Sequence, residues 1–285
     1  MARDANTANA YPDSVVMRVA EQLLARLHAR QEPWLVGLSG LQGSGKSTFS
    51  AQLAAALTRS GIATLAMSID DFYFGRRERQ RLAREVHPLL ATRGVPGTHD
   101  LVLLERTLAD MRHASASQPA RVPRFDKGRD TRMARAHWHR TVQPPRLVLL
   151  EGWCVGVLAQ TPAQLRRPIN ALERDEDGDG RWRGYVNTQL AAGYARLWRR
   201  FDALVLLQAP SFDVVQRWRD EQEMALRRAH APHAMSTAAL RRFIMHYERL
   251  SRQALRELPA RADICLVLDA ARHLRRIALA ATGTR

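Results

Sequence analysis

One run of residues carries the strongest chemical signal in the chain: Gly40-Leu41-Gln42-Gly43-Ser44-Gly45-Lys46-Ser47, followed by Thr48. Glycines let a backbone wrap closely around an anion, and the N–H groups at the start of a following helix then point at it. Lys46 supplies a compact ammonium for terminal phosphates, and the Ser47 hydroxyl is an oxygen ligand of the kind Mg²⁺ takes. The run matches the phosphate loop G-x-x-x-x-G-K-[ST] in full, with an apolar stretch before it and helical composition after it. Gly40, Gly43, Ser44, Gly45, Lys46, Ser47 and Thr48 are therefore the candidate contacts to a nucleoside triphosphate. A dinucleotide-binding turn is excluded, because Thr48 stands where G-x-G-x-x-G needs its third glycine.

A second cluster is Ser68-Ile69-Asp70-Asp71-Phe72-Tyr73. A carboxylate at the carboxyl end of a parallel strand can accept a proton from an attacking hydroxyl, or hold Mg²⁺. Adjacent residues of an extended strand point to opposite sides, so only one of the two aspartates is expected to face the phosphate. A third apolar run, RLVLLEG, ends in the single acid Glu151. A helicase or transporter ATPase usually has an acidic pair there. A switch-type GTPase needs N-K-x-D, and the surroundings of the other lysine, Asp126-Lys127-Gly128-Arg129-Asp130, do not fit it.

The charge narrows the search. The 285 residues carry 44 Lys plus Arg against 28 Asp plus Glu, a formal net charge of +16. Only Lys46 and Lys127 are lysines; the other 42 cations are arginines. A planar guanidinium does not replace a compact ammonium between phosphates, so these two exceptions are informative. The arginines could attract a polyanion, but no recognised nucleic-acid-binding motif accompanies them, and specific nucleic-acid binding is not expected. Two cysteines, Cys154 and Cys265, form neither a disulfide framework nor a zinc quartet. No uncharged apolar run approaches the ~20 residues that span a bilayer. The N-terminus lacks an apolar signal region. A cytoplasmic protein without a membrane partner is the expectation, its oligomeric state open.

Several elements must position these groups. Helical spacing starts at Asp13 (Val16, Ala20, Leu23, Leu24, Leu27) and runs to near Gln31–Pro33, after a polar tail over 1–12. Apolar runs predict buried strands over 34–39, 63–70, 146–152, 202–210 and 263–269, alternating with helical patterns over 46–60, 185–201, 211–229 and 236–258. That alternation predicts an α/β fold with a parallel sheet covered on both faces. The segments 71–100 and 112–145 are long for plain connections. Asp175-x-Asp177-x-Asp179-Gly180 imitates the start of a calcium loop, but Val186 stands where the bidentate Glu belongs, so it reads as an acidic turn. His137 and His139 read as solvated residues of a basic helix, and the six Trp as packing residues.

The IDDFY strand end after a phosphate loop, followed by VLLEG, resembles the uridine kinase, pantothenate kinase and phosphoribulokinase group. Further blocks narrow this to a resemblance to the plant-type D-glycerate 3-kinase family and its bacterial and fungal relatives. They are Val86-His-Pro-Leu-Leu-Ala-Thr-Arg-Gly-Val-Pro-Gly-Thr-His-Asp100, Pro123-Arg-Phe-Asp-Lys127, Glu151-Gly-Trp-Cys154, Trp182-Arg-Gly-Tyr-Val-Asn187, Trp218-Arg-Asp-Glu-Gln-Glu223 and His246-Tyr-Glu-Arg249. The resemblance implies a P-loop NTPase three-layer sandwich, mostly parallel, with helices on both faces. The tail and helix over 1–33 would pack on a kinase domain over 34–285, with acceptor and lid insertions around 71–145 and 211–235. It implies ATP and Mg²⁺, with Asp70 as general base, Glu151 helping Ser47 organise the metal, and Lys46 balancing phosphate charge. A lid arginine would close over the phosphates. Arg219 is the better candidate than Arg217, against the plain alternative of i,i+4 pairing with Glu223 or Glu221. A small anionic, polyhydroxy acceptor such as D-glycerate calls for an Arg or Lys partner; Tyr73, Arg93, His99, Arg124 and Lys127 are the substrate candidates. Another small acceptor (a nucleoside, a pantothenate-like molecule or a sugar), an Arg-rich nucleic-acid ATPase and an inactive scaffold remain as alternatives.

Overall fold

The structure is a computed structural model, and it describes residues 10–26, 33–228 and 235–280. In chain order, α1 (Asp13–Leu24), β1 (Trp34–Gly40), α2 (Lys46–Arg59) and β2 (Thr64–Ser68) come first. A 3-10 turn, Ile69–Phe72, leads to α3 (Arg76–Glu85) and α4 (Leu101–Arg112). Four short strands follow: β3 (Ala120–Val122), β4 (Phe125–Asp126), β5 (Thr131–Arg132) and β6 (His139–Thr141). After β7 (Leu147–Gly152) come α5 (Pro162–Leu165), α6 (Ala171–Glu176) and α7 (Arg181–Gln189), then a π-helical turn, Leu190–Tyr194, and α8 (Ala195–Trp198). The chain closes with β8 (Ala203–Gln208), α9 (Asp213–Arg228), α10 (Thr237–Glu257), β9 (Ile264–Leu268) and β10 (Leu274–Leu279).

The apolar runs assemble into one sheet in the order β10-β9-β8-β1-β7-β2. All neighbours are parallel except β10, which returns antiparallel along β9. Every residue of β1 and β7 is buried, because helices cover both faces. Alternate side chains serve the two layers. Val36, Leu38, Leu149 and Val205 pack against α1 and α2, while Leu35, Val148, Leu150 and Leu206 pack against α4, α7, α8 and α10. The structure is thus the α/β sandwich, helices on both faces of a mostly parallel sheet. With β1 in the middle, its carboxyl end and those of β2 and β7 open on one edge, where α/β folds bind ligands.

Several expectations need correction. Strand β2 stops at Ser68, not residue 70; the Ser68 hydroxyl accepts the Asp70 N–H at 3.3 Å and starts the 3-10 turn. Helix α1 ends at Leu24, and the expected helix end near Gln31–Pro33 falls largely on residues 27–32, outside the described residues. Tyr11 belongs to no polar tail: it is buried, its ring edge-on to Phe49. His137 ends a 3-10 turn and His139 opens β6, so neither lies in a basic helix. The helix read over 185–201 starts at Arg181 and is interrupted by the π-helical turn. Strand β10, with its exposed Arg275 and Arg276, had no apolar run to announce it. The acidic turn is real: Asp177 accepts the N–H groups of Trp182 (2.7 Å) and Arg183 (3.2 Å) and pairs with the Arg183 side chain. Both cysteines are buried free thiols.

Candidate active site

The phosphate loop spans the gap from β1 to α2, with Lys46 as the first residue of the helix. Gly43 and Gly45 have φ of 79° and 88°, in the left-handed region that side chains disfavour. At Gly43 a Cβ would also lie 2.6 Å from the Cβ of Trp218 on α9. Two side chains that sequence reasoning missed hold the loop from outside. The Tyr11 hydroxyl donates to the Ser44 carbonyl at 3.1 Å, and Arg272 Nε donates to the Gly43 carbonyl at 2.7 Å. In a trans peptide each carbonyl opposes the next N–H, so holding Ser44 O outward turns Gly45 N–H the other way. Arg272 also lies over the Trp218 indole at 5.2 Å and pairs with Glu221 at 2.6 Å. No motif marks either residue: Tyr11 lies in a stretch that reads as tail, and Arg272 is one arginine among 42.

Lys46 Nζ donates to the Leu41 carbonyl at 3.0 Å, and burial lowers its pKa against the opposing pull of Glu151 and Asp70. The Ser47 hydroxyl donates to Glu151 Oε1 at 2.8 Å. Glu151 is delivered there by register: it pairs with Leu38 of β1 on one side and Ser68 of β2 on the other. An alcohol and a carboxylate oxygen in contact at the mouth of a phosphate loop form a hard-oxygen donor pair, the chemistry Mg²⁺ prefers.

The acceptor side is built around Asp70. Its Oδ2 receives Lys127 Nζ at 2.6 Å, and its Oδ1 receives the Tyr73 hydroxyl at 3.0 Å. Burial would raise the Asp70 carboxyl pKa, but Lys127 above all, with further pulls from His99 and Lys46, holds it well below the usual range. In return Asp70 raises the Lys127 pKa. The two lysines of the whole chain therefore act on one carboxylate. Asp71, next along the 3-10 turn, faces elsewhere: it accepts the Phe125 N–H at 3.1 Å and lies 3.8 Å from Arg124. It anchors the β4–β5 hairpin, which presents Lys127. The two aspartates thus point to different partners, as the sequence reading expected, but a 3-10 turn and not strand alternation separates them.

His99 bridges to Tyr73 in a single antiparallel contact, and the two rings stack with centroids 4.4 Å apart. Burial pushes its imidazole pKa down to about 4. Lys46, Ser47, Asp70, Tyr73, His99, Lys127 and Glu151 thus form one connected neighbourhood. The three candidate arginines are engaged at its margins. Arg93 pairs with Asp130, which also binds Arg79, and donates to the Lys127 carbonyl at 3.4 Å. Arg124 is the partner of Asp71. Arg219 pairs with Glu223 at 2.9 Å and donates to Gln222 at 2.8 Å, so the i,i+4 alternative is the arrangement present. Arg217 instead caps the Ala270 carbonyl.

A phosphate loop at the carboxyl edge of this sheet, facing an acidic 3-10 turn, defines a P-loop protein of the small-molecule kinase type. No family model matches the chain. Curated relatives and solved structures do. An uncharacterized kinase of Schizosaccharomyces pombe, mug58, is 33% identical over 223 residues, 75% of this chain and 78% of that protein. The chloroplastic D-glycerate 3-kinase of Arabidopsis thaliana is 30% identical over 226 residues, 75% of this chain but 46% of that longer protein. A solved D-glycerate 3-kinase from Cryptococcus neoformans has the same fold, with a TM-score of 0.75 at 22% identity over 93% of this chain and 99% of that one. The chain belongs to this D-glycerate 3-kinase-related family of P-loop kinases. Membership implies a phosphotransferase with a nucleotide donor and a small-molecule acceptor. No helix among the described residues is long and apolar enough to cross a membrane.

Proposed function

We propose that the protein transfers the γ-phosphoryl of ATP to a hydroxyl of D-glycerate, giving 3-phosphoglycerate. The observation that carries this reading is the Asp70 carboxylate, held between Lys127 and Tyr73 at the mouth of the phosphate loop. The 30% identity to a plant D-glycerate 3-kinase supports D-glycerate as the acceptor.

The loop 40–48 would bind the triphosphate through its N–H groups, with Lys46 leaving the Leu41 carbonyl for the terminal phosphates. Ser47 and Glu151 are the residues that would hold Mg²⁺, which when bound neutralises charge building on the phosphates. The acceptor hydroxyl oxygen attacks the γ-phosphorus, the bond to the ADP oxygen breaks, and the hydroxyl proton passes to Asp70. A carboxylate with a depressed pKa is a weak base. It suits a loose transition state, in which the hydroxyl keeps its proton until the new O–P bond is well formed, so orientation contributes most. The substrate carboxylate competes with Asp70 for Lys127, whose side chain is 61% exposed. Binding of the acid thereby relieves Asp70 of its strongest partner and makes it more basic when it is needed. Arg93 and Arg124 hold the Lys127 hairpin in place. Arg219 reaches the transferring phosphoryl by exchanging Glu223 for it as the lid closes.

Purified protein with Mg²⁺, ATP and D-glycerate is expected to release ADP and form 3-phosphoglycerate, identified by ³¹P NMR. Turnover of a nucleoside, a sugar or another acid in place of glycerate reassigns the acceptor and leaves the kinase. Failure to turn over any acceptor, with ATP unbound, removes the whole reading.

A further inference from the structure

Tyr194 closes the π-helical turn Leu190–Tyr194 between α7 and α8. An extra residue in a helical turn re-aims the side chains around it, and such turns recur at functional sites. Tyr194 is fully buried, yet its hydroxyl meets two polar groups from the loop that carries His99. The Gly97 N–H donates to it at 3.0 Å, and His99 Nδ1 lies 2.7 Å away.

Counting protons assigns the donors. A phenol has one proton and two lone pairs, and a neutral imidazole has one N–H and one bare nitrogen. Gly97 takes one lone pair of the Tyr194 oxygen. Among the described residues the only acceptor within reach of the phenol proton is His99 Nδ1. The hydroxyl therefore donates to Nδ1, which puts the imidazole proton on Nε2. His99 is 3% exposed, and its Nε2 has no hydrogen-bond partner among the described residues. A buried N–H left unpaired is costly, and it is worth retaining where a ligand supplies the acceptor. The location says which ligand. The His99 ring is stacked on Tyr73, whose hydroxyl donates to Asp70.

We propose that Tyr194 fixes the tautomer of His99, making His99 Nε2–H a preset donor to an oxygen of the acceptor substrate. His99 then reads an oxygen beside the reacting hydroxyl, a neighbouring hydroxyl or a carboxylate, and carries no proton in the transfer. Tyr194 acts through it as a positioning residue. This rests on the reading that the acceptor lies against Asp70.

The tautomer can be read without substrate. Long-range ¹H–¹⁵N NMR of the full-length protein, with His99 assigned by loss of its signals in His99→Gln, is expected to show a bare Nδ1 and a protonated Nε2. Tyr194→Phe is expected to introduce the other tautomer. It should raise the KM for the acceptor by roughly ten-fold and leave the KM for ATP within about two-fold. His99→Gln places an amide N–H near the position of Nε2 and should keep most acceptor affinity, whereas His99→Ala loses it. On the His99→Gln background Tyr194→Phe should add nothing, since no tautomer is left to choose. A wild-type His99 protonated on Nδ1 overturns the proposal, as does an equal effect of Tyr194→Phe in both backgrounds. Should Tyr194→Phe not fold, the comparison of His99→Gln with His99→Ala decides: equal losses refute the donor. If D-glycerate is not turned over, the same KM comparison uses the acceptor that is. The NMR result stands independently of that outcome.

Discussion

At the scale of single residues, the site turns on a charge count. Asp70 has both lysines acting on it, Lys127 by contact and Lys46 from the phosphate loop, with His99 adding to their pull, and its carboxyl stays ionised far into the acid range. Asp70→Asn keeps the shape and the Tyr73 neighbour but cannot take a proton. We expect it to bind ATP with near-normal affinity by calorimetry and to lose roughly 10²- to 10⁴-fold in turnover. Turnover near the wild-type rate would place the base elsewhere. The sequence displayed Asp70 and Lys127 as oddities of type and position, but not their 2.6 Å contact, because 57 residues separate them. It was silent on Tyr194 and Tyr73 as ring partners of His99, since nothing in a periodic pattern marks a buried phenol as polar.

At the scale of elements, the phosphate loop is held by its surroundings as much as by its glycines. Tyr11 from the segment before α1, Arg272 from the β9–β10 turn and Trp218 from α9 all press on residues 43 and 44. Gly43→Ala meets both obstacles at once, a positive φ and the Trp218 Cβ. The left-handed backbone alone costs about 1–2 kcal/mol. Weakened ATP binding is expected, with a changed Trp fluorescence reporting the displacement of Trp218. Arg272→Ala removes the donor to Gly43 and the partner of Glu221, and a several-fold rise in the KM for ATP with little change for the acceptor is the expected result. An unchanged KM for ATP would show that the loop holds its shape unaided. Of the elements around the loop, β1, α2 and α9 were legible from apolar runs and glycine positions, whereas β10, with its exposed arginines, was not. The 3-10 turn at Asp70 was not, because the Ser68 hydroxyl, by capping the Asp70 N–H, competes successfully with strand continuation.

At the scale of the whole molecule, burial in two layers has a consequence for pH. His99 and His246 both lie in the core, and burial pushes each pKa from 6.5 down to about 4. Between those values the unfolded chain binds protons that the native state does not. Stability is therefore complete above about pH 6.5 and falls as pH drops toward 4, by up to about 3 kcal/mol for each histidine. Urea unfolding at pH 7.5 and pH 5 should show the loss, and His246→Asn should remove about half of it, leaving the share of His99. Equal slopes in wild type and variant would assign the pH dependence to other groups.

The sequence by itself determined the alternating α/β architecture, the phosphate loop and the types of residue available for chemistry. Those features are local: apolar periodicity sets strands and helices, and a loop motif needs only its own few residues in order. The tertiary structure decided which groups meet. Parallel register brought Glu151 to Ser47, the anchored β4–β5 hairpin brought Lys127 to Asp70, and the π-helical turn brought Tyr194 to His99. It also gave Arg93, Arg124 and Arg219 carboxylate partners in Asp130, Asp71 and Glu223. Contacts across tens of residues depend on how layers pack, and a linear pattern carries no record of that distance.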